Sequence, residues 1–176
     1  MKRIALAILL ATAPLTSLAT GSWVVGINYM NLSEDVDAFD VSLGGLAGSV
    51  GHKVNIVDNF YLIPEVRFGT GISDDTVRYL GVSVDLELDR FIALSVRGQY
   101  EFDNNLYLFA APAYANAKFT ASASQGNQSA SFTDDSWEFG IGIGAGLYLT
   151  DTVAIEAMFE GFDGTDVISA GLRFNF

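Results

Sequence analysis

The sequence predicts an all-β fold, an eight-stranded antiparallel up-and-down transmembrane β-barrel that follows a cleaved signal peptide. Three observations predict it. Hydrophobic residues make up 50% of the 176 residues, although Gly, Asp, Glu, Arg or Asn interrupts every apolar run after the N-terminal one. Apolar and polar residues alternate with a period of two, which is typical of strands with two different faces. The N-terminus has the pattern of a secretory signal.

The N-terminal segment has the three parts of a signal peptide. A basic start, Met1-Lys2-Arg3, precedes an apolar run from Ile4 to Ala13. Ser17-Leu18-Ala19 then places small residues at the two positions that a signal peptidase reads. The apolar run is shorter than the about 20 residues that a membrane-spanning helix needs. We therefore expect a signal peptide at residues 1–19 and one barrel domain at residues 20–176.

The alternation predicts eight strands, at residues 22–31, 39–54, 60–71, 80–102, 105–120, 132–149, 152–161 and 166–176. The seventh is a clear example, because Ile155 and Phe159 alternate with Glu156 and Glu160. In the second, the apolar phase switches at Gly44-Gly45, which indicates a bulge or a close backbone approach. An even number of antiparallel strands can close into a barrel, and closure leaves no unpaired edge facing lipid.

The connections between the predicted strands alternate in length. Short turns lie at residues 57–59, 103–104 and 150–151, and longer polar connections follow strands one, three and five. Membrane barrels have this asymmetry between periplasmic turns and extracellular loops. Residues 121–131, rich in Ser, Ala and Gln, predict a flexible third loop. The acidic loop residues are Glu34, Asp35, Asp37, Asp40, Asp74, Asp75, Asp134, Asp135, Asp163 and Asp166.

The predicted interior contains many charges. An eight-stranded barrel is only just wide enough for side chains to fill it. In the alanine-rich fifth strand we predict Tyr107, Phe109 and Phe119 outward, which turns Asn116 and Lys118 inward. An ion path is one interpretation, but buried charges are costly unless they pair, so we favour interlocking salt bridges. The predicted interior charge network is Glu65, Arg67, Arg97, Glu101, Lys118, Glu138, Glu156 and Arg173, with Gln99 and Glu160 on the same face.

Composition and single residues argue against several functions. A net charge of −12 disfavours nucleic acid, whose phosphates need a basic surface. The chain has no cysteine, which excludes disulfides and Cys-based metal sites. His52, the only histidine, lies near a predicted short turn, where we expect an interfacial position. We therefore predict no catalytic residue, no metal site and no cofactor.

The C-terminal end carries a family resemblance. Gly171–Phe176 has aromatics at alternate positions and ends in Phe, and the sixth strand is rich in glycine. The turn–strand units Asp58–Leu62 and Asp103–Tyr107 are alike. With its signal peptide, the chain resembles the small outer-membrane barrels of the OmpA/OmpX type, also called porin-like barrel domains. The resemblance implies a bacterial outer membrane, with its lipids and lipopolysaccharide as surroundings. It also implies insertion by the barrel-assembly machinery, with Leu172, Phe174 and Phe176 as the assembly signal.

The sequence favours a non-enzymatic monomer with a structural or surface-interaction role, a filled polar interior and acidic extracellular loops. A narrow porin-like channel for ions or small solutes is the second hypothesis. A lipid-modifying outer-membrane enzyme is the third, although no Ser-His-carboxylate group can be assembled around His52. A soluble secreted β-barrel also stays open. The monomeric state is expected by fold-level analogy.

Overall fold

The structure is a computed structural model that describes residues 23–36, 39–79, 82–125 and 128–176. The predicted signal peptide lies outside the described residues. No helix in the described part of the chain is long and apolar enough to cross a membrane. The strands are β1 Trp23–Val36, β2 Phe39–His52, β3 Val54–Val57, β4 Phe60–Ser73, β5 Asp75–Tyr79, β6 Val82–Glu101, β7 Leu106–Gln125, β8 Gln128–Tyr148, β9 Val153–Gly161 and β10 Thr165–Asn175.

The ten segments form one closed barrel of eight strands, which confirms the predicted fold class. β3 prolongs β2 beyond Lys53, and β5 prolongs β4 beyond Asp74. Around the barrel the order is β1, β2, β4, β6, β7, β8, β9 and β10, and β10 pairs with β1 to close the ring. Every pairing is antiparallel, so each backbone ladder is satisfied by its neighbours.

The two ends of the barrel differ. At one end, called the turn end, the N–H of Phe176 donates a 2.9 Å hydrogen bond to the carbonyl of Trp23. Tight turns at residues 58–59, 103–105 and 149–152 lie at this same end. At the other end, called the hairpin end, β7 and β8 reach Gln125 and Gln128, whereas β9 already stops at Gly161. The rim at the hairpin end is therefore uneven.

Alternation of the side chains determines the two faces of the wall. In β9 the buried residues are Ala154, Glu156, Met158 and Glu160, whereas Ile155 and Phe159 are exposed. Large exposed hydrophobic residues recur on every barrel strand and make the outer surface apolar. Apolar-out alternation is the arrangement of a barrel surrounded by lipid.

The predicted orientation of the fifth barrel strand was wrong. Tyr107 and Phe109 are buried inside, and Phe119 packs against the buried interior residues. The reason lies on the neighbouring strand, where a Cβ at Gly144 or Gly146 would meet the Phe109 or Tyr107 ring. The glycine-rich inner face of β8 makes room for large rings on β7, and only the pairing of the two strands reveals this.

The structure has a bulge opposite Gly44-Gly45, but the bulge lies in β4 and not in the predicted strand, and the predicted switch of phase is wrong. The β2–β4 register shifts between Gly44 and Gly45, and the extra residue, Ile72, belongs to β4. β2 itself keeps one phase, since Leu43, Ala47 and Ser49 are all buried. The shift therefore changes the pairing of β4 and leaves the faces of β2 unchanged.

The predicted loop at residues 121–131 is also wrong. β7 and β8 pair without a break from Leu106–Leu147 to Gln125–Gln128, so the described residues of this segment are strand. β7 has 20 residues and β8 has 21, although about 9–11 residues suffice to cross a bilayer. The sequence pattern did not predict these extensions, because their side chains are polar. Both faces of a strand meet water beyond the membrane, so the alternation of apolar and polar residues is lost there.

Gly144→Val should destabilise the barrel by about 1–3 kcal/mol, because its methyl groups would collide with the Phe109 ring and the Ala157 carbonyl. Urea unfolding of protein refolded into lipid vesicles measures the change. Ala145→Val, on the outward face of the same strand, is the control and should stay close to the parent. Equal stability of the two variants would contradict the packing of β7 against β8.

Candidate functional site

Six buried charges form an ionic layer across the barrel interior: Glu65 and Arg67 on β4, Arg97 on β6, Glu156 and Glu160 on β9, and Arg173 on β10. None of these residues is more than 7% exposed. Alternation places each of them on the inner face of its strand. Three arginines face three glutamates, so the ionic layer carries no net formal charge.

One ion pair in the ionic layer spans the lumen. The two terminal nitrogens of Arg67 donate 2.6 Å hydrogen bonds to the two carboxylate oxygens of Glu160. β4 and β9 occupy opposite positions in the ring of strands, so this bidentate pair crosses the lumen from wall to wall. Bidentate arginine–carboxylate pairs are among the strong, orientationally specific hydrogen bonds in proteins.

The other four charges form a closed cycle. Arg97 lies 2.7 Å from Glu156 and 3.7 Å from Glu65. Arg173 lies 2.6 Å from Glu65 and 3.4 Å from Glu156. The Tyr107 hydroxyl donates a 3.1 Å hydrogen bond to Glu156. Each charge therefore has two partners of opposite sign, which offsets the desolvation that burial imposes.

A smaller polar group lies nearer the turn end. The Lys53 ammonium and the Tyr148 hydroxyl each donate a 2.5 Å hydrogen bond to the Glu101 carboxylate. Gln99 donates to the same oxygen at 2.7 Å. This group closes the interior between the ionic layer and the turn end.

Toward the hairpin end the interior becomes apolar. The buried residues of this apolar layer are Met30, Leu32, Leu43, Ala47, Leu88, Phe91, Ala93, Ala115 and Val167. Above it lies the mouth cavity, with a volume of about 250 Å³. Apolar side chains form most of its wall, and Ser33, Glu34, Asp134 and Thr165 supply its polar groups.

One strand edge at the hairpin end has no neighbour. β9 pairs with β8 only from Ile141 to Tyr148, so no described strand pairs with the outer side of Gln128–Gly140. We call this side of β8 the free edge. β9 and β10 stop at a short turn beside it, which leaves a gap in the rim about three strand spacings wide, or about 14 Å. Unpaired edges are rare in barrels, because closure normally removes them.

His52 lies at the turn end. Its ring makes an edge contact with Trp23, with ring centroids 5.1 Å apart. Both residues are exposed on the outer wall, as at an interfacial aromatic position. Among the described residues no group of three or more His, Asp or Glu side chains is arranged to hold a metal ion.

The sequence matches a family model described as "Outer membrane protein beta-barrel domain" over residues 4–176. The chain belongs to this family. The barrel therefore lies in the bacterial outer membrane. Short periplasmic turns and longer extracellular loops characterise such barrels, and here the long connections continue as strands. The turn end is then periplasmic, and the mouth cavity and free edge are extracellular.

Solved structures of small outer-membrane proteins share the fold. Neisserial surface protein A aligns with a TM-score of 0.58 at 12% identity, covering 88% of this chain and 97% of its own. Ail, the attachment invasion locus protein of Yersinia pestis, aligns at 0.60 and 14% identity, covering 89% and 99%. Ail in complex with the heparin analogue sucrose octasulfate aligns at 0.55 and 16% identity, covering 89% and 97%. A comparison with curated proteins gives no significant match.

The barrel brings most of the predicted interior charges together. Glu65, Arg67, Arg97, Glu156 and Arg173 all belong to the ionic layer, and Glu160 completes it. Glu101 is separate, in the polar group nearer the periplasm. The sequence showed the inward face of β4, β6, β9 and β10, but the partners come from strands that are distant in the chain.

Two residues predicted inside lie on the outer face instead. Lys118 shares the face of the exposed Tyr114 and pairs in register with Arg90 and Asp135. Asn116 is only 1% exposed, because Arg90 and Asp135 cover it through hydrogen bonds of 2.9 and 2.5 Å. The inverted orientation of β7 causes both errors, since one residue of slip exchanges the two faces.

Glu138 faces the interior as predicted, but it lies outside the ionic layer. Its carboxylate accepts a 3.2 Å hydrogen bond from Ser136, and it borders a small cleft with Phe91 and Phe162 near the mouth. The apolar layer itself was missed. Met30 and Leu32 occupy inner positions of β1, and this change from polar to apolar inner residues is the signal that could have revealed it.

Removing one partner of the lumen-crossing pair should be costly. We expect Glu160→Gln to lower the free energy of unfolding by about 3–5 kcal/mol, because Arg67 is left buried without a carboxylate. Glu138→Gln, at the more exposed inner position, is the matched control and should have a much smaller effect. Urea unfolding in lipid vesicles measures both, and equal losses would contradict the pairing.

Because side chains fill the interior, we expect that the barrel does not conduct ions. Folded protein in a planar bilayer should give no discrete conductance steps, because the Arg67–Glu160 pair and the four-charge cycle block the lumen. Heat-modifiable mobility establishes that the sample is folded. Reproducible steps that change in amplitude with Arg97→Gln would instead support the channel hypothesis.

Proposed function

We propose that this outer-membrane barrel is a non-enzymatic surface-interaction protein that binds an extended, basic segment of another polypeptide along the free edge. The unpaired side of β8 at Gln128–Gly140 is the observation that carries the proposal. A strand added to an exposed sheet edge gains main-chain hydrogen bonds, and pockets for alternate side chains select its sequence. Here the mouth cavity lies beside the edge and can receive apolar side chains.

The hydrogen-bonding groups of the edge can be assigned. The N–H of Tyr148 donates toward β7, to Asn105, and the N–H of Leu149 donates toward β9, to Val153. Alternate residues of an antiparallel strand direct their N–H and C=O groups to opposite sides. Because β8 keeps one register with β7, the backbone N–H and C=O groups of Thr133 and Asp135 point to the free edge.

The charge around the gap specifies a basic partner. Acidic side chains border it on three strands and one turn: Glu34 on β1, Asp134 and Asp135 on β8, Asp166 on β10, and Asp163 between β9 and β10. A second copy of this chain would bring Asp134 and Asp135 against their own counterparts, which is unfavourable. A polyanion such as the heparin analogue bound by Ail would also be repelled by this rim.

The barrel itself would serve as a rigid, monomeric membrane scaffold for this edge. We propose that insertion depends on the barrel-assembly machinery and on the outward-facing series Leu172, Phe174 and Phe176. Leu172 is 40% exposed on the outer wall, and Phe176 joins the C-terminus to β1. Lipopolysaccharide would surround the outer-leaflet half of the same wall.

The test is binding of a synthetic peptide of about eight residues, a usual strand length, with alternating lysine and valine. We expect it to bind the barrel in lipid nanodiscs, more weakly at high salt, whereas an alternating glutamate–valine peptide should not bind. Thr133→Pro should abolish binding, because proline removes an edge N–H without breaking the β7–β8 ladder.

Thr133→Ala is the matched control, since it loses the hydroxyl contact with Thr120 but keeps the N–H. It should bind the lysine–valine peptide like the parent. Equal loss in both Thr133 variants would contradict strand addition, and so would equal binding of both peptides.

A further inference from the structure

The mouth cavity is a bounded site inside the barrel rim. It has a volume of about 250 Å³, and residues of β1, β2, β6, β7, β8 and β10 line it. Its apolar wall consists of Leu32, Val41, Leu43, Leu86, Phe119, Ala121 and Phe132. Phe132 is 68% exposed, so the wall presents a large aromatic face to the opening. An apolar concavity that faces water favours an apolar occupant.

The floor of the cavity is closed. Leu32 and Leu43 of the apolar layer form part of the cavity wall, and Leu88 and Phe91 lie buried in the same layer. These side chains are at most 3% exposed, and the ionic layer lies on the periplasmic side of them. A ligand that enters from outside therefore stays at the mouth. The cavity is a dead end and not the start of a passage.

The polar groups of the cavity select the charge of a ligand. Glu34 and Ser33 approach from β1, Thr165 from β10, and Asp134 from β8 on the other side of the gap. No lysine, arginine or histidine is among the described residues that line the cavity. Among the described residues, neither Glu34 nor Asp134 takes part in a salt bridge. An ammonium group held between these walls would be attracted by the carboxylates of Glu34 and Asp134.

We propose that the mouth cavity binds small hydrophobic amines, with an aromatic or aliphatic body in the apolar pocket and one ammonium near Glu34 and Asp134. An engineered apolar cavity of about 150 Å³ holds benzene, so this larger cavity takes a body of about ten non-hydrogen atoms. Binding of so small a ligand is weak, in the millimolar range. Amine binding does not need the backbone groups of the free edge, because its contacts are side chains of the inner wall.

The experiment compares three ligands with the same phenylbutyl body: phenylbutylammonium, phenylbutanol and phenylbutyrate. Methyl NMR shifts of the barrel in nanodiscs report binding, with Leu32, Leu43 and Leu86 as probes of the cavity. We expect the ammonium to bind about tenfold more tightly than the carboxylate at low salt, with the alcohol between them. Saturable shifts should be confined to the cavity wall.

Variants of the cavity distinguish the contribution of its charges to ligand affinity from the contribution of its shape. Glu34→Gln with Asp134→Asn should reduce ammonium affinity about threefold, to that of the alcohol, because the cavity stays but both carboxylates are lost. Leu43→Trp should abolish binding of all three ligands by filling the cavity. Asp103→Asn with Asp151→Asn removes the same charge at the periplasmic end and should change nothing.

Three results would overturn the proposal: equal affinity for the ammonium and the carboxylate, no saturable shift in folded protein, or shifts centred on the lipid-facing Ile141 and Ile143. Thr133→Pro distinguishes this site from the peptide site. It should leave amine binding intact even where lysine–valine peptide binding is lost, so each proposal can fail without the other.

Discussion

The barrel depends on the pairing of buried charges inside its lumen, and the Arg67–Glu160 pair is the clearest example. A closed wall of eight strands encloses an interior that side chains must fill, and here the central part of that interior is ionic. The pair joins opposite walls through two 2.6 Å hydrogen bonds, and the four-charge cycle next to it joins β4, β6, β9 and β10. Burial of so many charges is tolerated because each one faces a partner of opposite sign.

Pairing across the lumen has consequences for the rest of the wall. Glutamate and arginine side chains fill the centre of the lumen. Aromatic rings from β7 occupy the space next to β8, where the glycines of β8 leave room for them. Toward the extracellular end the charges give way to Met30, Leu88 and Phe91, which close the lumen with apolar contacts. The interior is thus polar near the periplasm, ionic at the centre and apolar near the surface. This order supports a scaffold better than a pore.

The extracellular rim is where the chain departs from a simple cylinder. β7 and β8 extend far beyond the membrane, while the β9–β10 hairpin stops early. The resulting gap exposes both a strand edge and an apolar cavity, each bordered by carboxylates. Outer-membrane barrels of similar fold include Ail and neisserial surface protein A, at 14% and 12% identity. At such low sequence identity the comparison shows a shared barrel fold and gives no information about the function of the rim. The rim therefore has to be interpreted from its own residues.

The sequence alone determined the fold class, because apolar-out alternation, a terminal Phe and short turns are local properties of each strand. It also identified the inward charges of β4, β6, β9 and β10, since a single strand reveals its own face. Tertiary structure decided what depends on neighbours. The orientation of Tyr107 and Lys118 follows from the pairing of β7 with β8, and the partner of Arg67 lies on the opposite wall. The free edge exists because β9 ends at Gly161 while β8 continues, and register between strands determines that. Alternation within one strand carries no information about where its neighbour stops.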